Sequence, residues 1–295
     1  MLGHEAVAEV IEVGRDVQDF SPGDIVVVPA VTPDWPGLEI QRWLYRQGEG
    51  RIDGFRFKEG RSGVFSEAFH VNGADLNLAH LPDDISLEAA VMVSDCVSTG
   101  LHGAELAKIR PGMTVAVFGL DAAGLMAIAG ARLRGAGQII AVGDKPLAQP
   151  VADKLGMTDR VLPSENTADR IAEITDSKGC DVSIVTGGLS LMSSAVESTA
   201  PAGIVVDLNY GRQGKEIELT GLPERNQRKL RQVRRGLYTG GRIRMERLLE
   251  LIKYDRLDPT GLITHRFYGW QGLKEAFDLM IEKPESVIKP VIMMD

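Results

Sequence analysis

The stretch TVAVFGLDAAGL, residues 114–125, decides the fold. Thr114–Phe118 is an apolar, β-branched run that reads as a buried strand, and Gly119 ends it. Residues 125–133 run apolar, with Ala and Gly at close-packing positions, until Gly135 and Gly137 stop them. Strand, tight turn and helix follow one another within twenty residues. The rhythm repeats downstream: strands over Gln138–Val142, 181–185 and 203–208, and helices near 152–155, 167–177 and 191–198. Strands separated by single helices require right-handed crossovers, so this part predicts an α/β, doubly wound parallel sheet.

Outward from that core the pattern changes. Residues 1 to about 98 alternate short β-rich runs with turns: 6–13, then Ser21-Pro22-Gly23-Asp24, then Ile25–Val28, and 64–71 after a charged loop holding Trp35 and Trp43. The tail mixes helices (245–254, 271–280) with strands (262–267, 287–294). The expected layout is a discontinuous β-rich domain, residues 1–98 and 238–295, with a dinucleotide-type α/β domain, 99–237, inserted between.

Composition narrows the function classes. The 33 Lys and Arg against 41 Asp and Glu leave a net charge of -8, which removes any global attraction to nucleic acid or an anionic membrane. Two cysteines, Cys96 and Cys180, build neither a disulfide framework nor a four-cysteine zinc site. MLGHEAVAEV lacks the basic start and apolar core of a signal peptide, and no apolar run reaches membrane-spanning length. The expectation is a cytoplasmic enzyme or ligand-binding protein.

Three groups of residues carry candidate chemistry. In a Rossmann turn the first glycine makes the bend, the second admits the pyrophosphate and the third lets helix pack on strand. Gly119-Leu120-Asp121-Ala122-Ala123-Gly124 keeps the first and third, but Asp121 holds the middle place. A carboxylate there opposes the cofactor's own charge by about 1 kcal/mol in water, and about 4 at an effective dielectric of 20. An empty dinucleotide fold therefore competes evenly with a working one. Gly143-Asp144-Lys145 closes the next strand, where an acid receives ribose hydroxyls and small plus basic residues receive a 2′-phosphate. This segment offers both chemistries. His4, Glu5 and Asp95 supply an imidazole and two carboxylates, a zinc-type donor set, although by spacing alone such lone residues are more often structural than ligands.

Gly3-His4-Glu5-Ala6, Pro22-Gly23-Asp24, Pro33-Asp34-Trp35, Phe69-His70-Val71-Asn72 and the run from Asp95 through Thr99-Gly100-Leu101-His102-Gly103-Ala104-Glu105 together resemble the zinc-dependent medium-chain alcohol dehydrogenases. Within them the chain is most similar to the NADP-dependent secondary alcohol dehydrogenases, and the likeness runs on to Gly240-Gly241-Arg242. The resemblance implies a GroES-like catalytic domain, N-terminally truncated, joined to a Rossmann domain. It implies zinc on His4, Glu5 and Asp95, with His4 and Asp95 as catalytic residues. NADP, or alternatively NAD, would lie against Gly119, Asp121, Ala122, Ala123, Gly124, Gly143, Asp144, Lys145 and Tyr210. A small secondary alcohol or ketone would sit among Ala30, Phe55, Tyr210, Leu237 and Tyr238, residues that equally suit plain packing. A homotetramer without nucleic-acid or membrane partners is the implied assembly.

The departures are as specific. Family members carry, before Gly-His-Glu, a segment that supplies a cysteine ligand and a relay hydroxyl, and neither Cys96 nor Cys180 takes that ligand's place. The family's serine, arginine and tyrosine at the phosphate pocket correspond to Asp144, Lys145 and Pro163. These changes predict impaired turnover, with a non-catalytic remnant as the competing reading. The basic run Arg225, Arg228, Lys229, Arg231, Arg234 and Arg235 reads as solvated or subunit-facing surface, and His70, His80, His102 and His265 as structural.

Overall fold

The computed structural model describes residues 2–33, 35–38, 63–209, 232–236, 238 and 240–294 of the chain. They form two compact units, Met1–Thr99 with Gly236–Thr260, and Gly100–Arg235 with Gly261–Asp295.

In the first unit, β1 (Ala6–Glu9) pairs antiparallel with β2 (Ile25–Val28), and β2 with β3 (Ala79–His80). Val26 and Val28 bury their side chains with Phe20 and Leu78, which fixes the register. Residues 64–71, expected as a strand, form bends over 64–68 and no regular element over 69–71. Ser66 Oγ donates to the carbonyls of Gly63 and Ala68, so a side chain competes for the backbone bonds that a ladder needs. The loop around Trp35 is pinned by buried Asn77, which accepts from Trp35 Nε1 at 2.9 Å and donates to the carbonyls of Pro33 and Asn72.

The second unit holds six parallel strands: β4 (Thr114–Phe118), β5 (Gln138–Val142), β6 (Asp159–Val161), β7 (Cys180–Val185), β8 (Thr199–Asp207) and β9 (Gln232–Arg235). Their spatial order is β6-β5-β4-β7-β8-β9. Near-continuous apolar strands with helices such as Ala122–Leu133 and Met192–Ser198 packed against them give the buried core of Phe118, Ile140, Ile171, Met192 and their neighbours. β10 (Ile263–Tyr268) and β11 (Lys289–Met293) pair parallel in a separate sheet. Residues 261–295 group with the parallel-sheet unit, whereas the sequence reading places all of 238–295 with the β-rich domain. One tie is the Lys145 Nζ donation to the Val287 carbonyl.

Cys180 opens β7 with no exposed surface, and burial followed by the charge of Asp181 pushes its thiol from 9.0 up to about 12. A raised folded-state value keeps the thiol neutral below pH 9, and the stability this contributes is lost as pH climbs from there toward 12. At pH 8 only about one thiol in 10⁴ is ionised, so Cys180 should resist iodoacetamide in the native protein and react once denaturant is added. Ready native-state alkylation, read by mass spectrometry, would contradict this burial.

Candidate active site

The acidic end of the site is placed by an irregular helix. Leu87–Met92 is α-helical, Val93–Val97 widens into a π-turn, and Ser98–Leu106 resumes the α-helix. A π-turn inserts an extra residue and re-aims the side chains it carries. Here Ser98 Oγ donates to the carbonyl of Val93 at 2.7 Å, satisfying a backbone acceptor within the widened turn. Asp95 lies at the centre of this turn. His4 and Glu5 lead into β1, so the segment that starts the antiparallel sheet brings them to Asp95 across 91 positions.

His4 Nε2 is 3.3 Å from Asp95 Oδ2, and donor atoms of His4, Glu5 and Asp95 all lie within 4.8 Å of one another. No second group of this kind occurs among the described residues. Thr99 Oγ1 donates to Asp95 Oδ1 at 2.8 Å, leaving Oδ2 for His4. The Cys96 thiol donates to Glu5 Oε1 at 3.5 Å. Half of the His4 side chain and about a third of the Asp95 side chain are exposed, which leaves an entry path.

Beneath the cluster, Tyr238 is buried and donates its hydroxyl to the carbonyl of Ser94 at 2.8 Å; the same carbonyl accepts from Ala30 N. Burial, then the charges of Asp95 and Glu5, hold this phenol well above its usual range. The two carboxylates thus project a negative field that a divalent cation would neutralise. One imidazole nitrogen and two carboxylate oxygens are donors that zinc accepts, so the chemistry of the set fits that metal.

The parallel sheet reverses its winding between β4 and β7, the place where open α/β sheets bind ligands beyond the carboxyl ends of their strands. Gly119 follows β4 at φ 120°, and a Cβ there would stand 2.4 Å from Gly187 N and 2.5 Å from Thr186 Oγ1. At Gly124 a Cβ would stand 2.1 Å from the Gly119 carbonyl. Both glycines are required by close backbone approach. Thr186 Oγ1 is buried beside them without a hydrogen-bond partner among the described residues. A glycine cradle with an unsatisfied hydroxyl at the switch point fits a dinucleotide. Ala122 and Ala123 are the first two residues of the helix that follows, and Asp121 is its N-cap, its Oδ1 accepting from Gly124 N at 2.8 Å. The carboxylate therefore occupies an N–H that a pyrophosphate would otherwise use.

At the end of β5, Lys145 does not point freely toward a phosphate. Its Nζ donates to the Val287 carbonyl, and burial lowers its pKa while Asp121 raises it in part. Gly143 N is bound to Val161 O, and Asp144 is largely exposed. A residue that the sequence reading missed stands beside it. Arg160, paired in register with Ala141, places its guanidinium 3.7 Å from Asp144 and 2.6 Å from Gln149 Oε1. Only its position in a three-residue strand next to β5 could have drawn attention to it.

Of the expected substrate-pocket residues, Ala30 is buried against Val31 and Tyr238, while Phe55, Tyr210 and Leu237 lie outside the described residues. Tyr238 packs as core, capped by the Arg244 guanidinium 5.7 Å from its ring centre. Arg234 and Arg235 fasten β9, bonding the carbonyls of Leu106 and Asn209; the rest of the basic run lies outside the described residues. His80 packs tilted against Phe20, His102 pairs with Glu105 and His265 bonds Thr264. No helix among the described residues is long and apolar enough to cross a membrane.

Comparison with known proteins agrees with both halves of this geometry. Residues 122–253 match the zinc-binding dehydrogenase family, and residues 1–83 match the alcohol dehydrogenase GroES-like domain. The NADP-dependent isopropanol dehydrogenase of Thermoanaerobacter brockii is 48% identical over 100% of this chain and 84% of that protein. The enzyme of the same name from Clostridium beijerinckii is 44% identical with the same coverage. Among solved structures, zinc dependent alcohol dehydrogenase 2 from Streptococcus pneumonia, in its apo form, superposes with a TM-score of 0.86 at 26% identity, covering 100% of this chain and 83% of that one. With a GroES-like β unit, a parallel sheet wound about a glycine cradle, and relatives this similar along its whole length, the chain belongs to the zinc-binding alcohol dehydrogenases.

Proposed function

We propose that the chain interconverts small secondary alcohols and ketones, isopropanol and acetone being the simplest pair, with NADP as hydride carrier. The observation that carries this is the convergence of His4, Glu5 and Asp95 within 4.8 Å, in a chain so similar to NADP-dependent isopropanol dehydrogenases. NADP, when bound, would supply the hydride acceptor, and the alcohol's proton would go to solvent. His4, Glu5 and Asp95 would hold the zinc ion. When bound, zinc supplies Lewis acidity toward the alcohol oxygen. Thr99 fixes the Asp95 carboxylate by its 2.8 Å bond, and Cys96 steadies Glu5, so the donors stand oriented before metal arrives. Gly119 and Gly124 admit the pyrophosphate, and Thr186 Oγ1 offers it or the adjoining ribose a hydrogen bond.

Zinc-reconstituted protein should oxidise isopropanol with NADP+, lose activity to a chelator and regain it with added zinc. Metal analysis after dialysis should find bound zinc. Nucleotide binding with no zinc uptake and no zinc-dependent turnover would instead indicate a non-catalytic dinucleotide-binding remnant, which the converged donors argue against. By the same kinship we assign a homotetramer acting in the cytoplasm, and light scattering on the purified chain checks the assembly.

A further inference from the structure

We propose that Arg160 is the residue of this chain that recognises the 2′-phosphate of NADP, exchanging its ion pair with Asp144 for the phosphate. The inference rests on the reading that a dinucleotide binds at the β4–β7 switch point. A cofactor whose pyrophosphate lies on Gly119–Gly124 brings its adenosine ribose to the end of the next strand, β5. Asp144 stands there, 20 positions after Gly124, with the chemistry that accepts ribose hydroxyls from NAD.

Two observations move the positive charge from Lys145 to Arg160. Lys145 Nζ is committed to the Val287 carbonyl, and partial burial lowers its pKa. Freeing it for a phosphate would leave that carbonyl without its partner. Arg160 carries its planar fork to the same strand end from β6. One terminal nitrogen is bonded to Gln149 Oε1, and the other faces Asp144 at 3.7 Å, longer than a hydrogen bond. Its Nε is buried without a partner among the described residues. The side chain is thus held in place by Gln149 and only weakly satisfied by Asp144. A phosphate offers several acceptor oxygens and more charge than a carboxylate, and a guanidinium binds it in fork geometry. Asp144 is 74% exposed and can turn away when the phosphate arrives. Retaining it means that NAD, whose free 2′-hydroxyl the carboxylate accepts, keeps measurable affinity.

Calorimetry on the full chain separates these roles without any turnover. The probes are adenosine 2′,5′-bisphosphate and 5′-AMP, which differ by the 2′-phosphate, together with NADP+ and NAD+. Arg160→Gln should weaken the bisphosphate and NADP+ by about 10- to 100-fold, while 5′-AMP and NAD+ stay within about twofold. Asp144→Asn, at a surface position that cannot unfold the sheet, should tighten the bisphosphate by about 3- to 10-fold and weaken NAD+. Lys145→Gln should change the bisphosphate-to-AMP ratio little. Arg160→Lys, which keeps the charge but not the fork, should fall between wild type and Arg160→Gln. Equal losses for both fragments in Arg160→Gln, or a ratio that responds to Lys145 and not to Arg160, overturns the inference and leaves dinucleotide binding standing. Failure of the wild-type chain to bind any of the four nucleotides overturns the dinucleotide reading and the inference with it.

Discussion

Isopropanol oxidation by the zinc-loaded chain should fall by about 10³-fold when Asp95 is replaced by asparagine, because the Lewis acid contributes several kcal/mol and each 1.4 kcal/mol is a factor of ten. Asparagine preserves the shape and can still accept from Thr99 Oγ1, so the loss isolates the charge that we propose holds the metal. Stability should move the other way in metal-free protein. Asp95 and Glu5 are like charges within 4.8 Å of each other, and both act on the buried Tyr238. In partly exposed surroundings that repulsion is about 1 kcal/mol. Metal-free Asp95→Asn should therefore melt no lower than the parent. Zinc at 100 times its dissociation constant should stabilise the parent by about 2.7 kcal/mol and the variant hardly at all. A zinc-dependent rise in melting temperature that survives the substitution would remove Asp95 from the metal site. Thr99→Val, which leaves all three donors in place, should weaken zinc by about 10- to 100-fold through the lost orientation of Asp95.

Four strands of the parallel sheet, β4, β5, β7 and β8, are legible because burial on both faces writes itself as unbroken apolar runs, while β6 and β9 carry no such run. Thr114–Phe118 and Gln138–Val142 fall where the residue types place them. The 64–71 segment has comparable strand propensity, yet Ser66 and its backbone bonds decide otherwise, a competition that residue types do not display. The π-turn is equally hidden: the residue types of VSDCV do not announce it, and the Ser98 bond to the Val93 carbonyl spans it. His4 and Asp95 were identified through a family motif rather than spacing, since 91 intervening residues carry no distance information. The part expected of Lys145 passes, in our proposal, to Arg160, and long-range contacts are the reason. Val287 reaches Lys145 from 142 residues away and withdraws it, while β6, too short to read as a strand, delivers Arg160.

Asp121→Asn should bind NADP+ about tenfold more tightly than the parent at low salt. The structure gives this residue two opposed effects that the substitution separates. Its carboxylate caps the helix Ala122–Leu133 through Gly124 N, a contact that stabilises the fold by about 1 kcal/mol and that asparagine reproduces. On the proposed binding mode its charge stands where the pyrophosphate would come. The side chain is exposed, so the repulsion lies nearer the water limit of about 1 kcal/mol at 4 Å than the figure of about 4 for a shielded site. One to two kcal/mol is roughly 5- to 30-fold in affinity. Added salt should shrink the difference between parent and variant, because exposed charges are screened over about 10 Å at 0.1 M. Asp121→Ala provides the contrast: it removes the charge and the cap together, so NADP+ should bind more tightly while the melting temperature drops. Asp121→Gly restores the middle glycine, and with it the close approach of backbone to phosphate, at a cost to the cap of only a few tenths of a kcal/mol. It should therefore bind tightest of the three. Calorimetric affinities that leave Asp121→Asn indistinguishable from the parent at low salt would show that the capping bond already draws the carboxylate out of the cofactor's path, and that its charge is not what limits binding.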